Sequence, residues 1–421
     1  MLFKTFAALA AAASLSTPPS AAAPRAAWVE MTGGGAELRL IPATGVCPAA
    51  VSDGVSLAMT PRSTPDAAFP DPVCVAPLPA GARRVTADGV SLRAPVARPG
   101  RLVVIGDTGC RMKGGVYQGC NDASAWPFAR IAALAAARAP DLVIHVGDYY
   151  YRETPCPAWA LKACGGSPFG DRWATWKAEL FDPAAPLLAA APWVFARGNH
   201  ETCKRGGAGW SRLLEAAPAP AGCLEHSPTF AVDLGGPVLW VVDSAESDDF
   251  FPTREMTAAF AARLAPVLGA PRPARGWILT HRPAWNASRF GDLVIDGLVN
   301  ATERRAMAGR DLSGVELVLS GHVHNVSSVS FRGARPSQLV AGAGGDELDM
   351  DDTPPPTSGS VVLDGLPADV FTMGRFGYFV FDRHGPDWIG RFYDLNDRAI
   401  AACALHRRDL VCRAVPAAGR R

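Results

Sequence analysis

Seven short apolar runs, each closed by a polar or glycine-bearing turn, constrain this chain more than any other feature. They are "LVVIGD", "LVIHVGD", "WVFARGNHE", "LWVVDSA", "WILTHRP", "LVLSGHVH" and "QLVAGAGG", all beyond residue 100. Runs that are apolar on both faces suit strands buried between two layers rather than strands with a wet side. Between the first two lies "SAWPFARIAALAAARAPD", in which Phe128, Ile131, Leu134 and Ala135 recur at helical spacing and Pro140 ends the segment. A strand, a helix and a strand in that order predict a parallel pair with a right-handed crossover. The turns that follow the runs then sit at the carboxyl ends of strands, the edge of a layered α/β fold where ligands bind.

The flanks read differently. Residues 24–98 are rich in Gly, Pro, Thr and Ser and predict a small β-rich N-terminal region, ending at "RAPVARPG"; residues 99–421 form the main domain. "YFVFDRHGPDWIGRFYDLNDRAI" alternates like a hairpin that completes a sheet, and "DDTPPPTSGS" (351–360) reads as an irregular loop with solvated acidic residues. At the start, "MLFK", the apolar "TFAALAAAASL" and the small residues of "STPPSAAA" read as a signal peptide over residues 1–23, so the chain is expected to be exported, periplasmic or secreted. After its removal no stretch approaches the ~20 apolar residues of a membrane span. Ten cysteines, an even number in an exported chain, predict disulfides. Proximity in sequence suggests Cys47–Cys74, Cys110–Cys120, Cys156–Cys164, Cys203–Cys223 and Cys403–Cys412. With 41 basic against 40 acidic side chains, nothing favours nucleic acid as a bulk partner. Oligomeric state is not readable here.

Five of the turns hold most of the polar residues with ligand chemistry: Asp107 in "GDTG", Asp148 in "GDYYY", Asn199 and His200 in "GNHE", His281 in "LTHRP", and His322 and His324 in "GHVH". Each alone is an ordinary turn. Together, two carboxylates, an amide and three imidazoles after buried strands make the mixed oxygen and nitrogen set that a pair of hard or borderline cations needs. Two cations ~3.5–4 Å apart can clamp the attacking and leaving oxygens of a phosphoryl displacement.

In the order and spacing of these five turns, residues 100 to about 395 resemble the calcineurin-like metallophosphoesterases. The resemblance implies a four-layer α/β/β/α sandwich, a dinuclear metal site and phosphate-ester hydrolysis by in-line attack of a metal-bound hydroxide. Most members carry Asp-x-His in the first turn, whereas Gly109 stands at that histidine position here. The chain is similar in this to the purple acid phosphatases, which use Asp-x-Gly and then Gly-Asp-x-x-Tyr; the matching tyrosine is Tyr151, with Tyr149 and Tyr150 as packing. A phenol, with an ordinary pKa of about 10, suits a trivalent iron, which prefers an anionic oxygen donor. The resemblance therefore implies Fe(III) held by Asp107, Asp148, Tyr151 and His324, and a divalent zinc, manganese or iron ion held by Asp148, Asn199, His281 and His322. His200 would act on the substrate phosphate rather than bind metal, with Glu201 orienting it or lying at the surface.

Around the turns, Arg111, Lys113, Arg152, Lys204, Arg205 and Arg282 are available to meet an anionic substrate, and His145 reads as a core residue. "GAGGDE" (342–347) reads as a tight glycine turn near the site. The favoured substrate is a small phosphate monoester. A phosphodiesterase acting on nucleotides or phospholipid head groups, or a non-catalytic binding protein, are the competing readings.

Overall fold

The computed structural model describes residues 25–218, 222–270, 276–290, 293–349 and 356–416. The expected signal peptide and the acidic residues at 351–352 lie outside the described residues. All seven apolar runs form strands, and they divide between two sheets. Arg101–Ile105, Leu142–His145 and Trp193–Phe195 pair in parallel in the first. Val238–Val241, Gly276–Leu279, Val315–Ser320 and Ser337–Ala341 do so in the second.

The two sheets pack face to face. Leu102, Val104, Ile144 and Val146 from the first meet Leu239, Leu279, Leu317, Leu319 and Leu339 from the second in one buried layer. The intervening residues point outward and are buried as well. Val103, Ile105 and Val143 lie under helices Phe128–Ala137 and Asp182–Ala190. Ile278 and Val318 lie under helices Arg254–Leu268 and Ala301–Met307. That is the four-layer α/β/β/α arrangement, and it explains why the runs lack a polar face. Each fully buried Val, Leu or Ile contributes roughly 1.5–3 kcal/mol, so both faces of a five-residue strand must be apolar to hold it inside.

Helix Phe128–Ala137 buries Phe128, Ile131, Ala132 and Ala135, while Leu134 is only half-buried at its edge. The C-terminal hairpin, Gly377–His384 with Asp387–Asp394, joins the first sheet antiparallel to Arg101–Ile105. Part of the N-terminal region extends the same sheet on the other side, in parallel. Strand Ala26–Thr32 pairs in parallel with Trp193–Phe195, Glu30 opposite Trp193, while residues 50–57 and 84–93 build a four-stranded sheet of their own.

The reading of 351–360 as irregular is corrected in its second half. Thr357–Leu363 is a strand paired with Leu366–Met373. Asp364 and Gly365 turn the chain with φ of 50° and 76°, the Asp-Gly hairpin turn that needs positive φ at both positions. All five suggested disulfides form, and no described cysteine is free.

Candidate metal centre

The carboxyl ends of the parallel strands from both sheets meet at one edge. Three of the turns there hold a non-glycine residue in left-handed backbone: Asp107 at φ 54°, Asp148 at 58° and His322 at 70°. Each such residue costs about 1–2 kcal/mol, and clusters of them mark sites where side-chain aim is worth the strain. The aim is visible in the contacts. The His322 N–H donates to both Asp107 oxygens at 3.1 Å, and the His200 N–H donates to Asp148 Oδ1 at 3.0 Å.

Tyr151 answers the question that Gly109 raises. Its ring is fully buried, and its Oη lies 2.9 Å from Asp148 Oδ2, 2.9 Å from His324 Nε2 and 3.3 Å from Asp107 Oδ1. A Cβ added at Gly109 would stand 2.6 Å from Cδ2 of that ring and 2.5 Å from the Tyr149 carbonyl. The glycine and the phenol are thus one device, because any side chain at 109 would claim the space the ring fills. Tyr149 instead donates its hydroxyl to Ala196 O at 2.8 Å and stacks on His145, and Tyr150 stacks on Trp176. Both are packing.

A second cluster abuts the first. His281 Nε2 lies 3.1 Å from Asp148 Oδ2 and 3.0 Å from Asn199 Oδ1. Asp148 Oδ2 therefore touches both groups. Potential ligand atoms of Asp148, His281 and His322 fall within 4.8 Å of one another, as do those of Asp107, Asp148 and His324. The far ring nitrogens are tied down: His281 Nδ1 donates to Val146 O at 2.9 Å, and His324 Nδ1 to Glu347 O at 2.8 Å. Such bonds fix the tautomer and leave Nε2 directed at a cation. In His322 it is Nε2 that meets Asp249 Oδ2, at 2.9 Å, which leaves Nδ1 for the centre.

The electrostatics fit positive charge. Burial works against a charge on His324, yet the Asp346 and Asp107 carboxylates push it up to about 10. Burial also opposes charge on His281, and Asp148 outweighs it to reach about 9. Asp107 is pushed up to about 6 by burial, against the pull of His324 and His281. Burial raises Tyr151 well above the usual phenol range, and Asp148 and Asp107 add to it. The phenol has one proton for the electron-rich neighbours crowding its oxygen. Two carboxylates, a phenol, an amide and three imidazoles in this packing suit a pair of cations, with an anionic-capable oxygen on one side and more neutral donors on the other.

His200 sits beside the cage. Its ring lies 3.7 Å from that of Tyr151 between centroids, Nδ1 is 2.9 Å from Tyr150 O and 2.8 Å from Glu153 Oε1, and Nε2 is 3.3 Å from Lys113 Nζ. Burial dominates its titration and pulls the imidazole down to about 3. Of the flanking cations, Arg111 reaches His324 and Asp346, Arg205 reaches His200, and Arg282 reaches His322. Arg152 does not face the site: it is buried over Trp126, 3.8 Å from Glu179. Lys204 is exposed. Glu201 is not a surface carboxylate. It is buried and accepts the N–H groups of Tyr149, Tyr150 and Gly198 at 2.9–3.0 Å.

Several residues escaped the sequence. Glu179, in the wide π-helical turn Lys177–Phe181, accepts from Tyr151 N at 3.1 Å and Cys110 N at 3.0 Å, so it fixes the backbone on both sides of the Gly109–Tyr151 contact. Asp249 braces His322 and Arg282. Asp346, read only as part of a glycine turn, braces Arg111 and lies 3.4 Å from His324 Nδ1. Neither Glu179 nor Asp249 closes an apolar run, the signal that found the others, and Asp346 does follow the run "QLVAGAGG" but its glycines drew the reading to backbone geometry.

The calcineurin-like phosphoesterase family model matches residues 100–326. No curated protein sequence matches the chain. Among solved structures, the yellow lupin (Lupinus luteus) seed purple acid phosphatase PPD1 superposes at TM-score 0.55 with 13% identity, over 93% of this chain and 74% of that one. A structure of PhoD superposes at 0.58 with 14% identity, over 96% and 95%. At such identities the likeness is one of fold. The family match spans more than half of the sequence and every one of the five turns up to His324, and so the chain belongs to the calcineurin-like phosphoesterases, metal-dependent hydrolases of phosphate esters.

Proposed function

We propose that this protein is an exported phosphatase that hydrolyses phosphate monoesters at a dinuclear centre of the purple acid phosphatase type. The observation that carries the reading is the Tyr151 hydroxyl set among Asp107, Asp148 and His324 in space that only a glycine at 109 leaves open. Asp107, Asp148, Tyr151 and His324 would hold Fe(III). Asp148, Asn199, His281 and His322 would hold a zinc, manganese or iron(II) ion. Cations bound there would lower the pKa of a water molecule and neutralise charge on the phosphoryl group.

The chain's own side chains do the rest. Arg111, Lys113, Arg205 and Arg282 contact histidines in or beside the cage. Arg111, Arg205 and Arg282 are each held by a carboxylate, of Asp346, Glu153 and Asp249, which sets their donors in place to meet phosphoryl oxygens. His200 is the proposed catalytic side chain at the phosphate. With Nδ1 set among Tyr150 O, Glu153 and the Arg205 guanidinium, its Nε2 faces Lys113, whose ammonium is held below the usual lysine range by burial and by Arg205. The pair is placed to orient a phosphoryl oxygen and to hand a proton to the departing alkoxide. Residues 99–421 would be the catalytic domain, and five disulfides suit an oxidising compartment outside the cytosol. Parallel assays on p-nitrophenyl phosphate and bis-p-nitrophenyl phosphate test the preference. Faster cleavage of the diester would transfer the reading to a phosphodiesterase, and less than one metal ion per purified chain with no turnover would remove the enzyme reading.

A further inference from the structure

On the outer side of the second sheet, helix Ala301–Met307 and the segment leading into strand Val315–Ser320 enclose a cavity of about 770 Å³. None of the residues gathered at the metal centre lines it. Its walls bring together five arginines, Arg304, Arg305, Arg310, Arg335 and Arg408, against two aspartates, Asp311 and Asp364. Like charges at this density repel one another across a space too small to screen them fully, since the Debye length is about 8 Å in physiological salt.

Arg304 and Arg335 pair with Asp364 and Arg408 lies within the field of Asp311, Asp409 and Glu316, while the charge on Arg305 and Arg310 is met by carbonyls. Asp364 is shared, taking Arg304, Arg335 at 2.7 Å and the Trp285 indole N–H at 3.0 Å. Arg305 donates to Pro252 O at 2.9 Å, Arg310 to Ala306 O at 2.6 Å and Arg408 to Gly333 O at 3.2 Å. A carbonyl satisfies a donor but leaves its charge in place. The lining also includes Trp285, Met307 and Leu312, which are 2%, 4% and 8% exposed, so they show only their edges to the hollow. The volume falls within the range of ~300–1,000 Å³ typical of small-molecule sites and is far larger than an inorganic oxyanion needs.

We infer that this cavity is a second binding site, built for an organic di- or polyanion whose flat apolar body lies toward Trp285, Met307 and Leu312 while its anionic groups meet Arg305, Arg310 and Arg335. Guanidinium forks pair with carboxylate, sulfonate or phosphate oxygens two at a time, and the arginines are spread over a hollow that a bare anion would not fill. The site is independent of the reaction proposed above.

Naphthalene-1,5-disulfonate is a suitable probe, because it has the charge and the flat body and carries no phosphate ester to be hydrolysed. Calorimetric titration of the full purified protein should show saturable binding of one equivalent, and inorganic sulfate should bind at least tenfold more weakly. The exposed rim pair Arg305→Glu with Arg310→Glu should weaken the probe at least tenfold. Ala334→Trp, which keeps the charge and fills the mouth, should do the same, with the melting temperature of each variant confirming the fold. Asp148→Asn, at the metal centre, should leave probe binding unchanged. The inference is overturned by absence of saturable binding, by wild-type affinity in both cavity variants, or by binding that is lost in Asp148→Asn and kept in the arginine variant.

Discussion

The two halves of the candidate metal centre share Asp148 and little else in their construction. The half around Asp107, Tyr151 and His324 is sealed: Asp107 and Tyr151 are fully buried, and the donors contact one another directly. Its outer supports, Glu179 and Asp346, are buried too. The half around Asn199, His281 and His322 opens outward. His322 and its brace Asp249 remain about one-eighth exposed, and its donors apart from Asp148 are neutral. A sealed, anionic half suits an ion of higher charge that stays. An open half with neutral donors suits an ion that exchanges and faces substrate. The lesson is that one edge of one fold can make two unlike sites by varying burial and a single donor.

The largest test removes what the halves share. Asp148→Asn should cut turnover of p-nitrophenyl phosphate by roughly 10²–10³-fold or more, the scale of losing a group aimed at the reacting charge, and should bring bound metal below one ion per chain. Activity within tenfold of wild type would mean that the halves work separately.

Next comes the donor that distinguishes them. If the sealed half holds Fe(III), Tyr151→Phe should abolish the visible absorption of the protein, while Tyr149→Phe and Tyr150→Phe keep it. Retained colour in Tyr151→Phe would remove the phenol from the centre.

Asp249→Asn probes the open half alone. Weakening a partner of this kind lowers metal affinity by about 10–100-fold, so one of the two ions should be lost on dialysis with the colour intact. Loss of both ions together would erase the distinction drawn here.

The smallest expected effect is steric. Gly109→Ala places a methyl against the Tyr149 carbonyl and the Tyr151 ring and should cost about 1–3 kcal/mol of stability, the usual penalty of overpacking. It should also shift the absorption band by moving the phenol. An unchanged melting temperature and band would show that the two positions are not coupled.

Much of this was readable beforehand because the signals are local. A strand buried on both faces must be apolar throughout, so the runs announced themselves, and the ligand turns were found as their endings. Cysteines close in sequence had short loops to close. Asp249 gave no such signal, since an aspartate in an acidic loop looks solvated until a partner from another strand arrives, and Asp346, which does follow the run "QLVAGAGG", was read only as part of a glycine turn. Glu201 was ambiguous for the same reason, and the hairpin at 357–373 was obscured by the proline-rich stretch before it.

The residues alone determined which atoms were available to bind metal and in what order along the chain, because strand burial and turn chemistry are written in a few neighbouring positions. Only the tertiary structure decided that the runs divide between two sheets, that the space left by Gly109 is the space Tyr151 fills, and that Asp249 and Asp346 stand behind two of the histidines. Those facts depend on distances between segments tens or hundreds of residues apart, and they are set by how two sheets pack across a shared apolar layer.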